Sequence, residues 1–155
     1  MDKKIVGFTC GSFDLCHYGH ILMFKECRSK CSHLIVGLQV NPNRDRSEKN
    51  IPIQSLEERW GQLEAVKYID DIMIYETEKD LIKLLINLEI DVRFVGKDWE
   101  NRNYTGKDLD TPVIFNSRDH SFSTSELRRR IFLAGIVTIN NPPEEENLKK
   151  ILDFH

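Results

Sequence analysis

A chain of 155 residues, 40% apolar and 30% charged, with a formal net charge of −3, has room for one domain around one sizeable core and too little length for two of ordinary size. The mild acidity does not suit a nucleic-acid binder, whose mark is a basic excess on one face; Arg128, Arg129 and Arg130 make one short basic run. No stretch approaches the roughly 18 consecutive apolar residues that span a bilayer, and Met1-Asp2-Lys3-Lys4 leads into a β-like run and not a signal peptide, so a cytoplasmic protein with neither nucleic-acid nor membrane partner is expected.

In chain order, residues 5–9 form an apolar, β-branched run that predicts a strand. The segment Gly11-Ser12-Phe13-Asp14-Leu15-Cys16-His17-Tyr18-Gly19-His20 separates it from a helix opened by Ile21, Leu22 and Phe24. Residues 34–40 predict a second strand, and the polar stretch 41–50 leads to a helix with Leu56, Trp60, Leu63, Val66 and Ile69 on one face. A strand at 72–75, a helix carrying Leu81, Leu84, Leu85 and Leu88, and a strand at 92–95 follow. After a second polar stretch, 100–111, come a strand at 113–115, the N-cap sequence Ser123-Thr124-Ser125, and a helix with Leu127, Ile131 and Leu133. Continuous apolar runs suit strands buried on both faces. Five such runs alternating with helices predict an α/β fold with a doubly wound, five-stranded parallel sheet, binding its ligands outside the C-terminal strand ends.

The two polar stretches are long for connections in such a fold, and loops of that length are usually functional or mobile. The domain is expected over residues 1–136. The tail 137–155, acidic then apolar after Pro142-Pro143, is expected to pack on the same domain or on a neighbour. Cys10, Cys16, Cys27 and Cys31 all lie in the first fifth of the chain, with no distant cysteine to staple. A disulfide framework is therefore not expected, a reducing compartment fits, and the spacing matches no compact zinc pattern.

The chemistry concentrates in the turn after the first strand. His17 and His20 stand three apart where a helix begins, and backbone N–H groups and the helix dipole favour phosphate there. Gly11 and Gly19 let the backbone come close to a ligand. Two imidazoles so placed would donate to the non-bridging oxygens of a phosphate under attack. A dinucleotide-binding Gly-x-Gly-x-x-Gly and a P-loop are both absent.

Gly-Ser-Phe-Asp with His17-Tyr-Gly-His20 resembles the signature of the HxGH nucleotidyltransferases, and in particular their cytidylyltransferase branch. Three further segments match in the same order. Glu58-Arg59 resembles the family's Glu-Arg step after a mobile loop. Val95-Gly96-Lys97-Asp98-Trp99-Glu100 resembles the Gly-Asp-Asp-Trp-Glu of glycerol-3-phosphate cytidylyltransferases, with Lys97 in place of the first aspartate. Arg118-Asp-His-Ser-Phe-Ser123-Thr124-Ser125 is similar to Arg-Thr-x-Gly-Ile-Ser-Thr-Thr, in register throughout.

The resemblance implies a Rossmann-like nucleotidyltransferase fold and transfer of CMP from CTP to glycerol 3-phosphate or a similar phosphorylated alcohol, with pyrophosphate released. Phosphoethanolamine, phosphocholine, another polyol phosphate, a sugar phosphate, and ATP as donor all stay open, as does a non-catalytic nucleotide-binding domain. It implies His17 and His20 as the transition-state groups, with His20 nearest the α-phosphate. Ser12, Phe13 and Gly19 would line the nucleotide with Gly96 and Asp98. Arg118, Ser123, Thr124 and Ser125 would hold the β- and γ-phosphates. Lys49, with Arg46 next, would neutralise charge from the 41–50 loop. Arg59, Trp99 and Lys79 would meet the acceptor. Asp14 would order the turn or help place a Mg2+ ion carried by the triphosphate. A homodimer is implied as well.

Overall fold

Apolar runs that cannot satisfy their own backbone polar groups must pair them in a sheet, and here they pair side by side in parallel. The computed structural model describes residues 4–140. Strands β1 (Val6–Gly11), β2 (His33–Gln39), β3 (Asp71–Tyr75), β4 (Val92–Gly96) and β5 (Val113–Asn116) alternate with helices α1 (Tyr18–Arg28), α2 (Leu56–Glu64) and α3 (Glu78–Asn87), and α4 (Thr124–Asn140) follows. The five-stranded sheet has the order β3-β2-β1-β4-β5, with every neighbouring pair parallel. This is the expected doubly wound fold. The chain runs β1 to β3 in one direction, then returns to lay β4 beside β1. The crevice between the C-terminal ends of β1 and β4 is the topological switch point, where open α/β sheets bind ligands.

Strand alternation sorts the core into two layers. Leu34, Val36 and Leu38 of β2 face Phe13, Phe24, Cys27, Leu63 and Phe94. Ile35 points the other way and joins Phe8, Tyr75, Leu81 and Leu85. Helices α2 and α3 begin with side-chain caps legible in the sequence. Ser55 with Glu58, and Thr77 with Asp80, each satisfy a backbone N–H on the other residue.

Some expectations are corrected. Helix α2 stops at Glu64, so Val66 and Ile69 lie in turns beyond it, although both still pack on the first core layer. Strand β3 is not buried on both faces. It is one of the two sheet edges, and Ile74 is 46% exposed. The four cysteines are free thiols, Cys27 and Cys31 buried. Among the described residues no group of three or more His, Cys, Asp or Glu side chains is arranged to hold a metal ion, and no helix is long and apolar enough to cross a membrane.

Both long loops are tied down, and Glu78 at the start of α3 ties both. Its backbone N–H donates to Asp45 at 2.5 Å, and its carboxylate accepts from Gln39 at 3.0 Å and lies 3.1 Å from the Arg46 guanidinium, which fixes the 41–50 loop. The same carboxylate accepts from the Thr105 hydroxyl at 2.5 Å in the 100–111 loop. Arg93, buried in β4, donates to the Thr105 carbonyl at 2.5 Å beneath that loop. Gly106 alongside has φ +76°, and a Cβ there would lie 2.8 Å from Leu85 and 2.9 Å from Arg93, so only glycine fits.

The chain divides into two compact units, Met1–Ser121 and Phe122–His155. The sheet and the two-histidine turn belong to the first. The second contains α4, whose start is capped by the Ser123 hydroxyl accepting from the Glu126 N–H at 3.1 Å, the N-cap role expected of Ser123-Thr124-Ser125. The expected tail from residue 137 starts inside α4, and residues 141–155 lie outside the described residues.

Candidate active site

Between the end of β1 and the start of α1 the chain reverses within six residues. It does so by placing two non-glycine residues in the left-handed region, Phe13 at φ 48° and Leu15 at φ 51°. Each such residue costs on the order of 1–3 kcal/mol and persists where its surroundings hold it. Asp14 supplies the hold. Its carboxylate oxygens accept the N–H groups of Ile53 at 3.0 Å and Gln54 at 2.9 Å, while the Gln54 side chain accepts from Leu15 N at 2.7 Å. Of the two roles expected for Asp14, this geometry is the turn-ordering one. The Phe13 ring is 4% exposed and packs on Phe24 and the edge of His20. It is a core ring that supports His20 from beneath the turn. Ser12 is half-buried beside it.

His17 is the N-cap of α1. Its Nδ1 accepts from Gly19 N at 3.1 Å, and His20 Nδ1 accepts from His17 N at 3.3 Å, the reciprocal arrangement of a capping box built from two imidazoles. The rings stack with centroids 3.9 Å apart and planes 25° from parallel. A neutral imidazole that accepts at Nδ1 carries its proton on Nε2. The local fold thus sets both tautomers and presents two Nε2–H donors at a helix N-terminus. Burial, then the neighbouring His17, pushes the His20 ring down to about 3 from its ordinary 6.5, with Asp14 pulling upward and His120 adding to the fall. Burial, then His120 and Arg118, lowers His17 as well.

Between the ordinary value of 6.5 and about 3, an unfolded His20 binds a proton that the folded ring refuses. Stability therefore falls as the pH drops through that window, and this group causes no further loss below it. His20→Gln keeps a side-chain oxygen for the cap and removes the titration. Comparing denaturant midpoints near pH 7 and near pH 4.5 should show a smaller acid loss in the variant. Equal losses would assign the acid sensitivity to other groups.

Around the turn, the segment after β5 contributes Arg118, which forms an exposed ion pair with Asp98 in the turn after β4. The Lys49 ammonium lies 5.4 Å from the centre of the Trp99 ring, a cation–π contact joining the two loops. Lys49 and Trp99 are thus brought together, as are Arg118 and Asp98. Gly96 is exposed at the end of β4, and Lys79 is exposed in the first turn of α3, with no described contact to the two-histidine turn.

Arg59 is a clear correction. It is 2% exposed, and its guanidinium donates to the carbonyls of Ser12 at 2.9 Å, Gln39 and Val40 at 2.7 Å, Gln54 at 3.2 Å and Ser55 at 3.3 Å. It clamps the turn after β1 to the end of β2 and the start of α2, and is not presented to an acceptor. Arg46, the second choice for the loop cation, is drawn to Gln39 and Glu78.

His120 was not singled out as a site residue, yet it belongs to this cluster. A Cβ at Gly19 would lie 2.9 Å from Cε1 of both His17 and His120. Its signal was its place two residues after Arg118, at the variable position of the motif.

A family model described as cytidylyltransferase-like matches residues 8–130. The chain belongs to that family, within the nucleotidyltransferase superfamily. A similar protein is the Bifunctional protein HldE of Campylobacter jejuni, 33% identical over 135 residues, which are 84% of this chain and 28% of that protein. The chain thus spans little more than a quarter of that relative. The glycerol-3-phosphate cytidylyltransferase of Bacillus subtilis is 28% identical over 83% of this chain and 97% of its own length. The lipopolysaccharide core biosynthesis protein of Thermoplasma volcanium has the same fold, with TM-score 0.55 and 23% identity over 86% of this chain and 90% of that one.

Proposed function

We propose that this member of the cytidylyltransferase-like family transfers a nucleoside monophosphate from a nucleoside triphosphate to the phosphate of a small phosphorylated alcohol, with CTP and glycerol 3-phosphate as the first pair to test. The observation that carries the reading is the stacked pair of imidazoles at the N-terminus of α1, beside the switch point of the sheet. An acceptor phosphate oxygen attacks the α-phosphorus, the bond to the β-phosphate oxygen breaks, and pyrophosphate departs with that electron pair. The enzyme forms no covalent bond.

His17 and His20 donate Nε2–H bonds to the α-phosphate oxygens, and the helix N-terminus favours the charge that builds there. Arg118 exchanges Asp98 for the leaving phosphates. Both partners are about half exposed, and an exposed pair of this kind is worth at most about 1 kcal/mol. Lys49, beside Trp99, is the loop cation that neutralises charge as pyrophosphate forms. The carboxylates at hand, Asp14 on two backbone N–H groups and Asp98 on Arg118, form no protein cage for a cation, so Mg2+ arrives as part of the nucleotide substrate. A homodimer is part of the proposal by resemblance.

The cytidylyltransferase match over 97% of its relative's length and the Gly96-Lys97-Asp98-Trp99-Glu100 segment support CTP and glycerol 3-phosphate. The greater identity to the Bifunctional protein HldE, 33% against 28%, keeps adenylyl transfer from ATP as the second reading to test. Pyrophosphate release is measured with Mg2+, crossing CTP, ATP, UTP and GTP with acceptors led by glycerol 3-phosphate, and with His20→Ala as blank. Release from CTP and glycerol 3-phosphate alone is the expected result. Release only from ATP moves the chain to the second reading. Nucleotide binding without release from any pair favours a non-catalytic domain.

A further inference from the structure

The His17 and His20 rings are held by one helix start and stack at 3.9 Å, so both reach the same small volume. A polyphosphate extends beyond it, and the segment after β5 lies alongside the start of α1. That segment is pinned to α1 itself. The Glu26 carboxylate accepts from the Ser117 N–H at 3.1 Å and the Ser117 hydroxyl at 3.0 Å. Beyond this anchor Arg118 and His120, two residues apart, both act electrostatically on His17, and His120 acts on His20 too. The absence of a side chain at Gly19 is what admits His120, since a Cβ would stand 2.9 Å from it and from His17. Three imidazoles and a guanidinium crowd one turn, and among the described residues no trio of His, Cys, Asp or Glu is arranged for a metal. Donors gathered without a cation site suit a polyanion.

We propose that His120 is a third phosphate-binding imidazole, contacting the β- and γ-phosphate oxygens of the nucleotide and holding the pyrophosphate as it leaves. The proposal rests on the nucleotidyltransferase reading and adds a residue to it.

The test is the binding of inorganic pyrophosphate with Mg2+, by calorimetry, to the wild-type protein, His120→Ala and His120→Gln, with thermal midpoints alongside. A lost hydrogen bond to a charged partner corresponds to about 10- to 100-fold in Kd. The expected result is a loss of that size in His120→Ala, partly restored by the amide donor of His120→Gln, with unchanged midpoints. An unchanged Kd in His120→Ala overturns the proposal, as does no pyrophosphate binding by the wild type. A loss accompanied by an equal fall in thermal midpoint, unrelieved by glutamine, also overturns it by making His120 merely structural. A His120-dependent Kd in a protein that releases no pyrophosphate from any substrate pair upholds this contact and defeats the proposed activity.

Discussion

His20→Ala is expected to lower kcat roughly 100- to 1,000-fold, the usual cost of one preorganised donor to a developing charge. The ring sits at the third position of α1 with Nδ1 accepting from His17 N at 3.3 Å, so its remaining N–H has one orientation. It stays neutral through the physiological range because burial and its neighbours hold its pKa at about 3. A neutral donor adds little to a ground-state phosphate already solvated by Mg2+ and gains when charge accumulates at the transition state, so the nucleotide KM should change far less than kcat. His20→Gln separates chemistry from folding. Glutamine is an ordinary partner in a capping box, so the helix start survives while the donor geometry is altered, and an intermediate kcat is expected. Steady-state pyrophosphate release for the three proteins decides the matter. A kcat for His20→Ala within about fivefold of the wild type would remove His20 from the chemistry.

Arg59→Met should be the most destabilising substitution considered. The guanidinium donates to five main-chain carbonyls on three segments while only 2% exposed. Methionine fills much of the space but donates nothing, and each buried carbonyl left without its partner costs about 1–3 kcal/mol where water cannot replace it. Three stranded carbonyls would cost at least about 3 kcal/mol, a large part of a domain's usual 5–15. For a unit of this size that corresponds to a fall in Tm of roughly 10 °C. Arg59→Lys should recover little, because an ammonium is a compact donor that cannot bridge the Ser12, Gln39 and Val40 carbonyls together. Because the Ser12 carbonyl belongs to the turn that carries the histidines, activity should fall well below the melting range too. Thermal unfolding is the measurement. A fall of under about 3 °C in the methionine variant would show that the clamp is dispensable.

The sequence alone determined the strand–helix alternation, the parallel sheet, and the place of the two histidines at the helix start after the first strand. These are local or periodic properties. A β-branched run, a Ser55-x-x-Glu58 cap and a His17-x-x-His20 spacing each act within a few residues, so each can be recognised without its neighbours. The end of α2 escaped that logic because Val66 and Ile69 keep helical spacing while packing from turns, and the exposure of β3 depended on its place in the sheet order.

What only the tertiary structure decided is where long polar side chains point. Arg59, expected to meet the acceptor, is instead buried against carbonyls 19, 20 and 47 residues away in sequence. Phe13 turned into the core, and Asp14 toward backbone 39 and 40 residues on. His120 joined His17 because Glu26 draws the segment after β5 onto α1. A flexible side chain reaches several ångströms in any direction, and its partner is set by which distant segments the sheet brings together. Local pattern carries no record of that choice, since the energy that fixes it exists only once the strands have paired.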